Sequence, residues 1–240
     1  MSRLHSYSQH FLKSPRLVAE LIGHSNIRKN DVVYDLGAGS GVIASVLARR
    51  AKQVLAVEIE PSSLKKLREN MADFDNVKVL EEDILTISPP EGRYKIFANI
   101  PFNLSANTVR KFAFAENPPT SIYLVVQKQF AWKLTPSDRR FNSLLGAQLW
   151  PWYQVRVRKP LRKTDFTPPP GVDTVLLEIK PLEESLLPRE ESVKYREFVA
   201  KCFELQKFFT ALDRESVGIS SERKPSELKP DEWVRLFRSN

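Results

Sequence analysis

Through the first three quarters of the chain, short apolar runs alternate with stretches whose apolar residues recur every three or four positions. The runs at residues 31–36, 53–58, 77–80, 94–98 and 121–126 read as buried strands. Helical spacing follows from Val42, from Pro61 and over about 105–115. Ser14-Pro15 reads as an N-cap with proline at the first helical position, opening a helix through about Leu21 and Ile22. This alternation predicts an α/β fold with a parallel sheet covered by helices. Past residue 150 the period drops to two. Residues 153–158 and 173–179 read as strands joined by a loop containing Pro168-Pro169-Pro170, with no helical crossover, so they should run antiparallel. From residue 182 the chain is helical and mixed in charge, with helices at about 190–205 and 229–238. It carries too few large apolar side chains to fold alone, so we expect residues 1–181 to form the main domain and 182–240 a small helical domain packed on it.

With 240 residues there is room for a sizeable core, and composition narrows the setting. The longest apolar runs, such as residues 122–126, fall far short of the roughly 18 residues of a membrane span. The start, Met-Ser-Arg-Leu-His-Ser-Tyr-Ser, has no apolar segment behind its basic residue, so no secretory signal is expected. Cys202 has no intrachain partner, and His5, His10 and His24 have no cysteines beside them, so neither a disulfide nor a metal site is expected. These features suit a reducing cytoplasm.

Charge adds a candidate ligand. The chain carries 37 basic and 29 acidic residues, and residues 110–163 alone hold eleven basic against two acidic. Phe112, Phe114, Phe130, Trp132, Phe141, Trp150, Trp152 and Tyr153 interleave that block. The combination suits a polyanion whose bases can stack, although a solvated basic face on an ordinary enzyme is the plainer reading. Arg110, Lys111, Lys133, Arg139, Arg140 and Arg162 are the candidate contacts. Residues 178–240 are nearly neutral, so the main domain rather than the helical tail is expected to hold the ligand.

The candidate chemistry starts at Asp35-Leu-Gly37-Ala-Gly39-Ser-Gly41, which ends a strand and opens a helix. Absent side chains there let a ligand approach the backbone. A dinucleotide fingerprint is G-x-G-x-x-G, whereas these glycines fall as G-x-G-x-G; alone, the motif leaves a methyl-donor site, a dinucleotide site and a plain tight turn all open. Glu58 closes the next strand, where a carboxylate can accept both ribose hydroxyls of an adenosine. Ile59 beside it is assigned to the same pocket. Asp83 closes the third strand and could accept from an adenine amino group, with Ile84 against the ring. Singly, either acid is an ordinary strand-end residue. Three strands delivering glycines or acids to one carboxyl edge describe a pocket for S-adenosylmethionine.

Asn99-Ile100-Pro101-Phe102 follows the fourth strand and falls at the same edge. An exocyclic amine on an aromatic base is a poor nucleophile because its lone pair is delocalised into the ring. The Asn99 side-chain oxygen and the Ile100 carbonyl can hold its hydrogens and aim the lone pair at a methyl donor. Pro101 fixes the turn, and Phe102 offers a stacking face. Elsewhere in a sequence the same tetrapeptide would be a polar turn with a buried ring. The lone cysteine lies in the tail, poorly placed for the thiolate attack that methylation of a cytosine ring carbon requires, so an amino-group target fits better.

Ser8-Gln-His-Phe-Leu12, Asp35 to Gly41, Glu58, Asp83, Asn99-Ile-Pro-Phe102 and Phe166-Thr-Pro-Pro-Pro-Gly-Val172 occur in the order found in ribosomal RNA adenine N6-methyltransferases, which the chain resembles over about residues 7–180. That family includes the erythromycin-resistance (Erm) enzymes, the small-subunit rRNA dimethyladenosine transferases and mitochondrial transcription factor relatives. The resemblance implies a class I methyltransferase fold with a Rossmann-like seven-stranded sheet, its last strand antiparallel, and S-adenosylmethionine as cofactor. It implies that Gln9, His10 and Leu12 line the donor's methionine end and that Phe166 faces Phe102 across a flipped adenine; the plainer reading of Phe166 is a buried ring anchoring a proline loop. Phe102 stands where tyrosine is common, so stacking survives but a hydroxyl contact is lost.

Within the family, residues 94–103, 109–112, 195–199 and 224–228 look more like Erm enzymes. Gln206-Lys-Phe-Phe209 stands where small-subunit relatives usually carry a basic cluster. The expectation is therefore a monomer that methylates N6 of an adenine in 23S rRNA, protein-free or in an assembling subunit, and gives macrolide-lincosamide-streptogramin B resistance. Small-subunit (16S-type) dimethylation and a non-catalytic nucleic-acid-binding role are the alternatives.

Overall fold

A computed structural model describes residues 10–137 and 141–240. In chain order the elements are β1 (Phe11–Leu12), α1 (Pro15–Gly23), β2 (Val32–Leu36), α2 (Val42–Ala48), β3 (Gln53–Glu58), α3 (Pro61–Met71), β4 (Val77–Glu81), β5 (Lys95–Ala98), α4 (Ser105–Ala113), β6 (Ile122–Gln127), α5 (Lys128–Leu134), α6 (Leu144–Leu149), β7 (Tyr153–Leu161), β8 (Phe166–Thr167), β9 (Thr174–Pro181), α7 (Ser192–Glu204), α8 (Gln206–Ala211) and α9 (Pro230–Arg238). Seven strands form one sheet in the order β4-β3-β2-β5-β6-β9-β7. From β4 to β6 neighbours pair in parallel, and β9 runs antiparallel to β6, with Tyr123 opposite Glu178. This is the class I methyltransferase sheet.

The helices form where the sequence places their signals. Ser14 caps α1 by accepting the Arg16 amide at 3.2 Å, with Pro15 at the first helical position. Glu60 caps α3 by accepting the amides of Ser62 and Ser63, and these bonds, led by that of the Ser62 hydroxyl, lower its carboxyl to about 2. Val18, Leu21, Ile22, Leu47, Leu64 and Leu67 are buried against Val33, Val54 and Ala56 of the sheet. Truncating one such leucine to alanine costs about 2–5 kcal/mol in typical cores, so this layer fixes the strand ends beside it.

The chain divides into two compact units, Met1–Lys128 with Val157–Ile179, and Gln129–Arg156 with Lys180–Asn240. The boundary expected at residue 181 is therefore joined by two others, because 129–156 groups with the C-terminal segment. The reason lies in that unit's own core. The Trp152 ring meets Tyr195 edge-on at 5.5 Å, and the Tyr195 hydroxyl donates to Ala147 O. Gln148 donates to Arg196 O, and Asn142 donates to Leu228 O at 3.0 Å. Sequence pattern missed α5 and α6, whose short apolar turns belong to this second core. Cys202 is buried there, its thiol pushed up to about 12 by desolvation. No helix among the described residues is long and apolar enough to cross a membrane.

Candidate functional site

The carboxyl edge of β2, β3, β4 and β5 opens onto a cavity of about 380 Å³ in the first unit, within the roughly 300–1,000 Å³ usual for small-molecule sites. Its wall includes Gly37 from the first loop, Glu58, Ile59 and Glu60 from the second, Asp83, Ile84 and Leu85 from the third, and Asn99, Ile100 and Pro101 from the fourth. Asn103, Leu104 and, from the N-terminal segment, His10 and Phe11 complete it.

Glu58 ties two of these loops together. Its Oε2 accepts the Gly39 amide at 2.8 Å, and its Oε1 accepts the amides of Ile59 and Glu60 at 2.9 and 2.8 Å. A carboxylate offers about four acceptor sites, so one remains for a ligand hydroxyl. The turn it braces needs glycine: Gly37, Gly39 and Gly41 all have positive φ, and a Cβ on Gly41 would lie 2.9 Å from Leu67 Cδ1 and Met71 Cε. On Gly37 a Cβ would crowd Ile84 Cδ1 at 3.3 Å. Asp83 Oδ1 accepts the Leu85 amide at 2.7 Å; the Oδ2 makes no hydrogen bond within the described residues. Ile59 is 56% exposed, an apolar surface left open at the mouth.

Asn99 donates its Nδ2 to the His10 carbonyl at 2.6 Å. Pro101 holds φ at −52°, and the Phe102 ring that follows is half-buried. The ring lying against Phe102 belongs to His10, at 5.5 Å between centroids and 29° between planes. His10 is itself held by Nδ1 on Pro168 O at 2.8 Å, and β1 pairs antiparallel with β8.

Several expected residues stand elsewhere. Phe166 is fully buried in the core cluster with Leu12, so its ring lies within the core rather than facing Phe102 across an open site. The register explains this: Leu12 lies opposite Phe166, and both point inward. Asp35, Gly39 and Gly41 do not line the cavity. Asp35 is wholly buried and neither oxygen has a hydrogen-bond partner. Burial raises its carboxyl well above the usual range and the Glu58 charge adds to this; the Ala44 amide opposes it without making a bond of its own. Gln9, Arg139 and Arg140 lie outside the described residues. Arg110, Lys133 and Arg162 are exposed, Arg162 with its guanidinium on Asp165, and Lys111 lies over the Phe112 ring at 5.7 Å. Phe11, Glu60, Leu85, Asn103 and Leu104 were not singled out by sequence. Glu60 was signalled by its place two residues past a strand and before Pro61, and Phe11 by its position between His10 and Leu12.

The donor set matches one cofactor class: a glycine turn, acids after the second and third strands and an apolar flank suit a nucleoside carrying a cationic sulfonium. Residues 2–217 match the family described as Ribosomal RNA adenine dimethylase. The chain belongs to that family. It is an S-adenosylmethionine-dependent rRNA adenine N6-methyltransferase, and its catalytic identity sets aside the non-catalytic alternative. An rRNA adenine N-6-methyltransferase of Staphylococcus aureus is 30% identical over 97% of this chain and 95% of its own length. A mitochondrial ribosomal RNA small subunit methyltransferase of Arabidopsis thaliana is 30% identical over 82% of this chain and 52% of its own. The crystal structure of the 23S rRNA methyltransferase ErmE superposes with a TM-score of 0.79 at 25% identity, covering 95% of this chain and 98% of that one.

Proposed function

We propose that this family member methylates N6 of an adenine in large-subunit (23S) rRNA, as a monomer in the cytoplasm, and so protects the ribosome against macrolides, lincosamides and streptogramin B. The observation that carries the chemistry is the meeting of Glu58, Asp83 and Asn99-Ile100-Pro101 in one cavity. S-adenosylmethionine, when bound, supplies an electrophilic methyl on a sulfonium. Glu58 would take a ribose hydroxyl on its one remaining acceptor site. Asp83 Oδ2 would accept from the adenine amino group and Ile59 and Ile84 would hold its ring, while the resemblance assigns Gln9, His10 and Leu12 to the methionine end.

At the target base, Asn99 Oδ1 and the Ile100 carbonyl accept the two amine hydrogens. This favours a pyramidal nitrogen with its lone pair directed at the methyl. Phe102 stacks on the base, and exposed Arg110, Lys133 and Arg162, with Lys111, Arg139 and Arg140, hold the RNA phosphates.

The tail supports the large-subunit choice, with Gln206-Lys-Phe-Phe209 in place of a basic cluster, as does the likeness to ErmE along its whole length. The likeness to the Arabidopsis small-subunit enzyme favours a second reading, dimethylation of small-subunit rRNA. Expression in a macrolide-sensitive bacterium separates them. Raised resistance supports the first; unchanged sensitivity with restored small-subunit dimethyladenosine in a strain lacking it supports the second.

A further inference from the structure

We infer that the main-chain carbonyl of His10 is the group that decides which way Asn99 presents its amide. An asparagine side chain has one acceptor and one donor end that exchange by a half-turn of the terminal torsion. A backbone carbonyl only accepts, and His10 O stands 2.6 Å from Nδ2. The flipped amide would set two oxygens against each other at that distance. Oδ1 is therefore turned away from the His10 carbonyl and left to accept a hydrogen from the target amine.

His10 holds this place because its surroundings fix it. Phe11 and Leu12 pair with Thr167 and Phe166, and the Lys13 amide donates to Asp165 O at 3.0 Å. The imidazole Nδ1–H donates to Pro168 O, and the same ring braces Phe102. Phe11 is packed so closely over the glycine turn that a Cβ on Gly39 would fall 3.1 Å from its ring. His10 is thus a positioning residue: a segment 89 residues distant in sequence sets the acceptor geometry of the Asn99 turn.

The inference rests on reading Asn99 as an acceptor of the amine hydrogens, and Asn99→Asp tests it. An ionised carboxylate keeps the acceptors but loses the donor that His10 O requires. A protonated carboxyl restores the donor while its other oxygen still accepts. The titratable groups facing the cavity are His10 from the N-terminal segment, Glu58 at the end of β3, Glu60 after it and Asp83 after β4; the three acids oppose ionisation of the introduced carboxyl. The Nδ1–H of His10 donates to Pro168 O. The ratio of variant to wild-type kcat, at saturating donor, should rise as pH falls from about 8 to about 6, approaching tenfold per pH unit while the carboxyl is mostly ionised. A ratio that stays flat overturns the inference.

If the variant is inert at every pH, the wild-type protein decides. A trans-hydrogen-bond scalar coupling between Asn99 Nδ2 and the His10 carbonyl carbon, measured by NMR without RNA, is expected, and its absence overturns the inference. Failure of the wild-type protein to methylate rRNA would instead sink the functional reading, which that coupling does not touch.

Discussion

Glu58 Oε2 accepts the Gly39 amide at 2.8 Å, so the acid that ends one strand is the brace of the glycine turn that follows its neighbour. Two loops on the donor side of the cavity are therefore held by one carboxylate, whose other oxygen also gathers the Ile59 and Glu60 amides. Bonds of this charge-assisted kind are worth about 1.5–3 kcal/mol each.

Glu58→Ala should weaken donor affinity by roughly ten- to a hundredfold, because it removes both a ribose acceptor and the brace of the turn. Glu58→Gln, which can still accept some of these amides, should lose less. Isothermal titration with S-adenosylmethionine checks this, and unchanged affinity in Glu58→Ala would remove the residue from the donor site.

Asn99→Ala and Phe102→Ala act on the target base rather than on the donor. Losing one preorganised acceptor should lower kcat by about 10²–10³-fold, if oxyanion-hole groups are a fair guide, with donor affinity nearly unchanged. Phe102→Ala should raise KM for RNA as stacking is lost, by about 1–3 kcal/mol of base binding. Single-turnover methylation and donor titration on the same preparations separate the two effects.

These residues were legible in sequence because each sits where a strand ends, and strand ends could be read from runs of apolar residues. The strands β2 to β6 themselves were legible for the same reason; their order in the sheet was not, and an antiparallel last strand came from the resemblance and from the missing helical crossover. Phe166 was not, because whether a ring faces a ligand or the core depends on one step of register in the short β1–β8 pair. The second unit was hidden too: Trp152 and Tyr195 lie 43 positions apart and meet edge-on, a pairing that no local period announces. The His10–Asn99 bond joins segments 89 residues apart, with nothing in either motif to reveal it.

Asp35 should give the protein a pH-dependent stability. Its folded-state carboxyl is raised above the unfolded value near 3.8 by burial. Such a group contributes stability that is fully present below the unfolded pKa and is lost as pH rises toward and through the folded one. Asp35→Asn lacks this titration, so its stability relative to wild type should climb from acid to neutral pH. Urea denaturation at several pH values measures it; parallel profiles for the two proteins would show that Asp35 is not carried as a neutral acid.

RNA binding should depend on the cations that α4 of the first unit carries, Arg110 and Lys111. Replacing Arg110 and Lys111 together by alanine should weaken rRNA affinity and make the slope of log affinity against log salt shallower by about 0.7–0.9 per lost phosphate contact. Donor affinity should not move. An unaltered slope would assign these side chains to the solvated face of α4.

The most direct measurement is transfer of labelled methyl from S-adenosylmethionine to purified, protein-free rRNA of each subunit, with the product nucleoside identified and its position mapped by primer extension. The account predicts N6-methylated adenine in the large-subunit RNA and little label in the small. Label confined to small-subunit RNA, or placed on any base other than adenine, would contradict it.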